Sequence, residues 1–157
     1  AKETVSKSLS EIRSLSKVIN GEVMAQWRLY DAIEEEVKRL NKSGVISVKY
    51  IISGTVFPIL QKEKIIIFRI IQECCSNVIK HAQATELELK ANYSEAGLEI
   101  SIRDNGVGFN MDRAVKGSGL INMQSRAKLI DAQLIFHSAQ GEGTTIILKY
   151  FPENDSM

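Results

Sequence analysis

The chain has 157 residues, of which 44% are apolar and 25% charged, and its formal net charge is +1. This composition is that of one globular domain, with room for an appended helix, and it excludes a disordered chain, a collagen-like repeat and a disulfide scaffold. The small net charge argues against direct nucleic-acid binding. No apolar run reaches the roughly 20 residues of a membrane span, and the N-terminus lacks the apolar stretch of a secretory signal.

Two helices are predicted at the start of the chain. The first, over residues 3–20, carries a narrow apolar stripe, typical of a helix that pairs with another helix, made of Val5, Leu9, Ile12 and Ile19. Asn20-Gly21 ends it, and a second apolar face predicts a helix over about 23–40 that ends before Gly44.

The rest of the chain alternates between strand and helix patterns. We predict strands over 45–53, 86–90, 98–103, 133–137 and 143–150, and helices over 62–82 and 120–130. Residues 92–97 join two strands as a hairpin. Adjacent strands and few strand–helix–strand units predict an α+β fold, in which helices cover one face of a mostly antiparallel sheet.

The only two cysteines, Cys74 and Cys75, are adjacent. Neighbours on a helix point about 100° apart, so a disulfide between them is not expected. No further cysteine or histidine stands at ligand spacing, so we interpret them as small buried apolar residues in a reducing compartment.

The long helix carries a row of polar groups beside its apolar face. Glu73, Asn77, Lys80 and His81 lie within an arc of roughly 100°. Such a row could serve a magnesium–phosphate group: the Asn77 amide oxygen as a metal ligand, Glu73 orienting a metal-bound water or accepting a proton, and Lys80 facing phosphate oxygens. A solvated helix face is the alternative interpretation.

A glycine-rich segment, Asp104-Asn105-Gly106-Val107-Gly108-Phe109, follows a predicted strand. The glycines permit a tight turn and close backbone approach to a ligand, and a half-buried Asp104 could accept hydrogen bonds from an amino group such as that of adenine. The alternative is a plain Asn-Gly hairpin turn.

Two shorter segments complete the pattern. Lys116-Gly117-Ser118-Gly119-Leu120 opens a helix, where bare N–H groups and a lysine make an anion site, unless the segment is simply a flexible loop. It is neither a Walker motif nor a dinucleotide fingerprint. In Gly143-Thr144-Thr145, a threonine hydroxyl could support Asp104, or the threonines could merely fill a strand.

In order and spacing, these four segments resemble the ATP-binding domain shared by sensor histidine kinases, gyrase, Hsp90 and MutL, the GHKL fold. The helix row is similar to the family's N box, the next two segments to its glycine boxes, and Gly143-Thr144-Thr145 to its closing threonine motif. Gln72-Glu73, Lys80-His81-Ala82 and Gly119-Leu120-Ile121-Asn122-Met123 look like the nitrate-sensor and DesK-like histidine kinases. The resemblance implies a two-layer sandwich of a mixed, mostly antiparallel sheet and helices, preceded by a helical segment.

The resemblance also implies the metal and phosphate roles. Asn77 would coordinate Mg²⁺, Glu73 would hold a metal-bound water, and Lys80 would approach the phosphates. The second glycine box would fold over the phosphates as a lid, through Lys116, Gly117, Gly119 and Leu120.

The implied adenine pocket is formed by residues from three motifs. Asp104 would accept from the adenine amino group, Thr145 would assist through water, and His81 would border the nucleotide. Gly106 and Gly108 would shape the pocket.

The implied protein is the catalytic part of a histidine kinase that transfers the ATP γ-phosphoryl group to a histidine. Residues 1–20 resemble the end of the second helix of the dimerisation and phosphotransfer hairpin, residues 21–151 the ATP-binding domain, and 152–157 a frayed tail. Neither His81 nor His137 stands in an acceptor motif, so the acceptor histidine would lie upstream.

The resemblance further implies a response regulator as partner, a cytoplasmic location, a homodimeric full-length protein, and membrane attachment only through upstream segments. Two alternatives stay open: a serine kinase of the anti-sigma-factor type, and a nucleotide-binding scaffold without phosphotransfer.

Overall fold

A computed structural model describes residues 27–114 and 118–153. The predicted helix over 3–20, the start of the helix over 23–40, Lys116, Gly117 and most of the predicted tail lie outside the described residues. Within the described ranges, no helix combines the length and apolar character that a membrane crossing requires.

The described residues form four α-helices and five strands. In chain order they are α1 (Leu29–Ser43), β1 (Ser47–Ser53), α2 (Gln61–Asn77), a π-helical turn (Val78–Ala82), β2 (Glu86–Ser94), β3 (Gly97–Asp104), α3 (Met111–Ala114), α4 (Ser118–Leu129), β4 (Gln133–Ser138) and β5 (Thr144–Tyr150). Each strand and helix predicted within these ranges is confirmed, with ends shifted by a few residues. The short α3 and the π-helical turn were not predicted.

The strands form one sheet in the order β1-β2-β3-β5-β4. β1 and β2 pair in parallel, and α2 makes the crossover between them. The other three pairings are antiparallel, and β2 and β3 form the predicted hairpin. The predicted α+β fold with a mixed, mostly antiparallel sheet is therefore confirmed.

The core lies between one face of the sheet and the helices. Alternate residues of β2 are buried, as the strict apolar alternation in the sequence requires: Leu87, Leu89, Ala91 and Tyr93. From the other side, α2 contributes Ile67, Ile70, Ile71, Cys74 and Cys75, and the π-helical turn contributes Val78. The hydroxyl of Tyr150 on β5 donates to Glu63 in the first turn of α2, so a polar contact also joins the two layers.

Both cysteines are free and buried, as predicted. They point to different sides of α2. Cys74 contacts Met123 of α4, with 3.5 Å between the two sulfurs, whereas the charges of Glu36 and Arg39 on α1 act on the Cys75 thiol. Burial raises the pKa of both thiols, that of Cys75 to about 12, so both stay neutral near pH 7.

Candidate functional site

A cavity of about 430 Å³ opens where α2 ends, between the sheet and the start of α4. Its walls come from four separate segments of the chain: Cys74, Asn77, Val78, His81, Ala82, Asp104, Gly108, Phe109, Arg113, Gly119, Leu120, Thr144 and Ile146. The volume is within the range of small-molecule sites. Most of the predicted site residues in the described ranges thus come together at one place.

Asp104 is the buried carboxylate of this cavity. It is the last residue of β3, the residue is only 4% exposed, and its Oδ1 accepts a hydrogen bond from the Gly106 N–H at 2.8 Å. Because Gly106 engages one oxygen only, the carboxylate keeps acceptor capacity for a ligand.

The glycine loop after Asp104 packs against the protein's own backbone. A Cβ on Gly106 would lie 2.2 Å from the Ala82 carbonyl oxygen, and the Val107 N–H donates to that same oxygen at 2.8 Å. A Cβ on Gly108, whose φ is +63°, would lie 2.0 Å from the Ala139 carbonyl oxygen. Gly108 lines the cavity, whereas Gly106 is placed behind Asp104 and is not among the lining residues.

The Asn105 side chain fixes the position of this loop. Its Oδ1 accepts from the backbone N–H groups of Thr85 and Glu86, each at 2.9 Å, and its amide donates to the Thr85 hydroxyl. The plain Asn-Gly hairpin is excluded, because Asn105 and Gly106 lead into a loop and not directly into a paired strand.

The π-helical turn shapes the cavity wall that adjoins the glycine loop. π-helical turns are rare and occur mostly at functional sites. This turn extends α2 to Ala82, and Gln83, with a φ of +53°, ends it in the left-handed conformation. His81 and Ala82 line the cavity, but Lys80 points to solvent and is not among the lining residues.

Glu73 and Asn77 lie side by side, facing the first turn of α4. A Cβ on Gly119 would lie 3.2 Å from Glu73 Oε1 and 3.6 Å from the Asn77 amide nitrogen. Asn77 lines the cavity, and Glu73 is placed beyond its rim. Among the described residues there is no group of three or more His, Cys, Asp or Glu that would hold a metal alone. Mg²⁺ bound with a nucleotide needs only one or two protein oxygens, and Glu73 and Asn77 fit that requirement.

The threonine that lines the cavity is Thr144, whereas the sequence prediction had named Thr145. Thr144 is buried and lines the cavity, whereas Thr145 is not among the lining residues. Side chains alternate between the two faces along a strand. Thr145 pairs with the exposed Arg103, so both residues lie on the outer face of the sheet. Thr144 therefore stands beside Asp104 on the inner face.

Three further residues of the site were not singled out from the sequence. Arg113, from the short α3, brings a positive charge to the cavity, and Phe109 adds an aromatic ring. Ser138, at the end of β4, bonds to the hydroxyl of Thr144 at 2.8 Å. Arg113 lies between the two glycine boxes in the sequence. A positive charge so close to an expected anion site could have identified it as a candidate site residue.

His137 lies apart from the cavity. It pairs with Thr145 in the sheet register and is exposed on the outer face. Lys116 and Gly117 fall outside the described residues, and of the second glycine box Gly119 and Leu120 are cavity-lining.

A family profile described as "Histidine kinase-, DNA gyrase B-, and HSP90-like ATPase" matches residues 62–155. The chain belongs to this ATPase family. The resemblance inferred from the four motifs is thereby confirmed, and the matched range contains every residue of the cavity wall.

Individual members of the family are named as kinases. The chain is 29% identical to the signal transduction histidine-protein kinase/phosphatase DegS of Brevibacillus brevis, over 94% of this chain and 38% of that protein. It is 30% identical to the sensor histidine kinase LiaS of Bacillus subtilis, over 92% of this chain and 40% of that protein. The chain thus spans about two fifths of the length of these relatives.

Solved structures share the fold. The histidine kinase AdeS of Acinetobacter baumannii superposes with a TM-score of 0.66 at 17% identity, covering 97% of this chain and 80% of that one. The ATP-binding domain of PrrB from Mycobacterium tuberculosis superposes with a TM-score of 0.65 at 22% identity, covering 79% of this chain and 93% of that one.

Proposed function

We propose that this chain is the ATP-binding catalytic domain of a two-component sensor histidine kinase. It binds ATP with Mg²⁺ and delivers the γ-phosphoryl group to a histidine on another segment of the full-length kinase. The observation that carries the proposal is a single cavity lined both by the buried Asp104 carboxylate and by the Asn77 amide. One group suits an adenine amino group, and the other suits a metal–phosphate group.

In this proposal the adenine lies between β3, β5 and the π-helical turn. Asp104 accepts a hydrogen bond from its amino group, and Thr144 supports that contact. Gly108 permits the close packing of the glycine loop against the turn between β4 and β5, and this packing closes the pocket. His81 borders the nucleotide from the π-helical turn, and the apolar Val78 and Ile146 contact the ring faces.

The phosphates extend toward α4 and α3. Asn77 and Glu73 would hold the Mg²⁺, which supplies charge neutralisation when bound. Arg113 adds a positive charge at the cavity wall. Lys80 is exposed on the π-helical turn, and its long side chain would reach phosphate oxygens beyond the cavity wall. Lys116 lies outside the described residues, and its approach to the phosphates stays an implication of the family resemblance. Phosphoryl transfer depends mainly on such positioning and charge stabilisation.

The phosphate acceptor comes from another part of the kinase. Transfer requires the γ-phosphate and the acceptor imidazole in near contact. His137 is on the outer face of the sheet, and His81 is held on the wall of the nucleotide cavity by its own helix. A hairpin of the full-length homodimer supplies the histidine, and a cytoplasmic response regulator receives the phosphoryl group. The names and greater lengths of DegS and LiaS support this proposal.

The binding half of the proposal is tested by calorimetry on Asp104→Asn. The Asn keeps an oxygen for the Gly106 N–H but presents an NH₂ group in place of the second oxygen, so two donors meet at the adenine amino group. ATP affinity should fall about 5- to 150-fold, the range for one unsatisfied buried partner. Asp131→Asn is the matched control, because Asp131 is exposed at a positive-φ turn that Asn tolerates. Equal ATP affinities in the two variants would contradict the proposed contact between Asp104 and the adenine amino group.

The transfer half is tested with radiolabelled ATP and an alkaline quench, which spares phosphohistidine. The chain alone should bind ATP without stable labelling, and a separate hairpin carrying the acceptor histidine should become labelled when it is added at high concentration. Stable label on the lone chain would contradict the placement of the acceptor. Acid-stable label on a serine of an added partner would favour the anti-sigma type of kinase.

A further inference from the structure

The Ser138 hydroxyl joins three parts of the site without lining the cavity. It accepts the backbone N–H of Phe109 at 2.9 Å and donates to the Gly143 carbonyl oxygen at 3.2 Å. It also lies 2.8 Å from the Thr144 hydroxyl, and either oxygen could be the donor in that pair. Ser138 thus connects the glycine loop, the turn before β5 and the threonine of the cavity.

Counting protons settles which hydroxyl donates. A serine hydroxyl has one proton and two lone pairs. If that proton goes to Gly143, the lone pairs accept from Phe109 and from Thr144, and all three contacts are satisfied at once. If it goes to Thr144, the carbonyl of Gly143 loses its donor. The assignment that satisfies every contact makes Thr144 the donor to Ser138.

This assignment fixes what Thr144 presents to the cavity. With its only proton directed to Ser138, the Thr144 oxygen offers lone pairs alone. Arg103 pairs with Thr145, so Asp104 and Thr144 are the next neighbours across the β3–β5 seam, on the cavity side. The cavity therefore carries two adjacent hydrogen-bond acceptors.

We propose that Ser138 is a positioning residue that holds Thr144 as an acceptor and so makes the site favour a 6-amino purine over a 6-oxo purine. The proposal rests on the proposed function of the cavity in ATP binding. Two acceptors suit an amino group directly. They also suit it through a water that donates to both, since such a water turns its lone pairs to the ligand. A 6-oxo group meets acceptors in either case.

The test compares ATP with inosine triphosphate, which carries oxygen at the same ring position. In Ser138→Ala the Thr144 hydroxyl is free to turn, and its proton becomes available to the 6-oxo group. The affinity ratio, defined as the affinity for ATP divided by the affinity for inosine triphosphate, should then fall about three- to tenfold. This is the effect of one neutral hydrogen bond. Ser138→Thr keeps the hydroxyl and should keep the wild-type ratio.

A double variant separates this role from simple support of the loop. Thr144→Val removes the hydroxyl on which Ser138 acts, so adding Ser138→Ala to it should leave the affinity ratio unchanged. Dissociation constants for both nucleotides are measured by calorimetry on the wild type and on each variant. Should Ser138→Ala not fold, Ser138→Cys replaces it, because a thiol is a weak donor and acceptor and should also lower the ratio.

The outcomes distinguish the two proposals. Equal losses for both nucleotides, or a ratio that does not change in Ser138→Ala, would overturn the role of Ser138 while leaving ATP binding intact. A further drop in the ratio when Ser138→Ala is added to Thr144→Val would overturn the route through Thr144. A wild-type chain that binds neither nucleotide would overturn the proposed function itself.

Discussion

Gly108 and Gly141 have similar backbone conformations in very different surroundings. Their φ values are +63° and +81°, and both belong to the left-handed region. A Cβ on Gly108 would collide with the carbonyl oxygens of Ala139 and Gly143, at 2.0 and 2.8 Å, whereas a Cβ on Gly141 would meet nothing within 4 Å. The pair therefore separates the conformational role of glycine from its packing role.

We expect Gly141→Ala to lower the free energy of unfolding by about 1–2 kcal/mol, the cost of the left-handed conformation for a residue with a side chain. Gly108→Ala should lose about 1–3 kcal/mol more, because the backbone beside the cavity must shift. Urea denaturation of both variants measures the difference. Similar losses of unfolding free energy in the two variants would show that the glycine loop can shift to accommodate a Cβ at Gly108 without an energetic cost.

Asn77 should set the magnesium dependence of ATP binding. Asn77→Ala keeps a good helix former but removes the amide oxygen, so the gain in ATP affinity on adding Mg²⁺ should fall at least about tenfold. Titration of ATP with and without Mg²⁺ measures this gain. Asn92→Ala, at an exposed position of β2, is the control and should keep the full gain. An undiminished magnesium effect in Asn77→Ala would argue against the metal role.

Two tyrosines show how polar contacts join or fail to join the elements. The Tyr150 hydroxyl on β5 donates to Glu63 on α2. The Tyr50 hydroxyl on β1 is the one buried side-chain polar atom in residues 27–114 and 118–153 that lacks a hydrogen-bond partner. A bond to a carboxylate stabilises, whereas an unpartnered buried hydroxyl costs free energy.

Tyr150→Phe should therefore lower the free energy of unfolding by about 1.5–3 kcal/mol, since it removes a hydrogen bond to a charged group. Tyr50→Phe should leave stability unchanged or raise it. Thermal and urea unfolding of the two variants provide the comparison. A loss of stability in Tyr50→Phe as large as in Tyr150→Phe would mean that the Tyr50 hydroxyl has a partner.

The elements were largely predictable because their signals are local. The β2–β3 hairpin follows from strict alternation on both sides of a short turn, and α2 follows from its apolar face. The π-helical turn was not predictable, because the residues Val78–Ala82 are compatible with a continued α-helix and only the packing of Ala82 against the glycine loop distinguishes the two.

The site was predictable in its motifs and not in its geometry. Thr144 and Thr145 are chemically identical neighbours, and which one faces the cavity depends on the pairing of β5 with β3. Ser138 carries no motif of its own, and its role arises only where β4, the glycine loop and β5 meet. Glu73, Asn77 and Asp104 could be predicted as candidate site residues because helical spacing and a strand end indicate their positions.

The whole molecule should lose stability in alkali. Burial raises the pKa of several acidic groups that are neutral near pH 7: Tyr50, Cys74, Cys75, Tyr93 and Tyr150. Each keeps its proton in the folded state at a pH where the unfolded chain has lost it. The unfolded state then binds fewer protons, so the free energy of unfolding falls as pH rises above about 9.

The contribution of Cys75 to this loss of stability in alkali can be measured separately. Its pKa rises from 9.0 to about 12 on folding, so its share of the loss falls between these two pH values. In Cys75→Ala the decline should be shallower, by up to about 1.4 kcal/mol per pH unit. Ile70→Val, also buried on α2, should lose stability equally at every pH. Parallel pH profiles for Cys75→Ala and the wild type would contradict the shift.

The β3–β5 seam, which is the line along which these two strands pair, is expected to form late in folding. β3 pairs with β2 across a two-residue turn but with β5 only after the long intervening chain has been closed, and closing a longer loop costs more entropy. Asp104 and Thr144 face each other across this late-forming seam. A nucleotide that bridges it would stabilise contacts absent from the folding transition state, so we expect ATP to slow unfolding several-fold while leaving the refolding rate nearly unchanged in stopped-flow experiments.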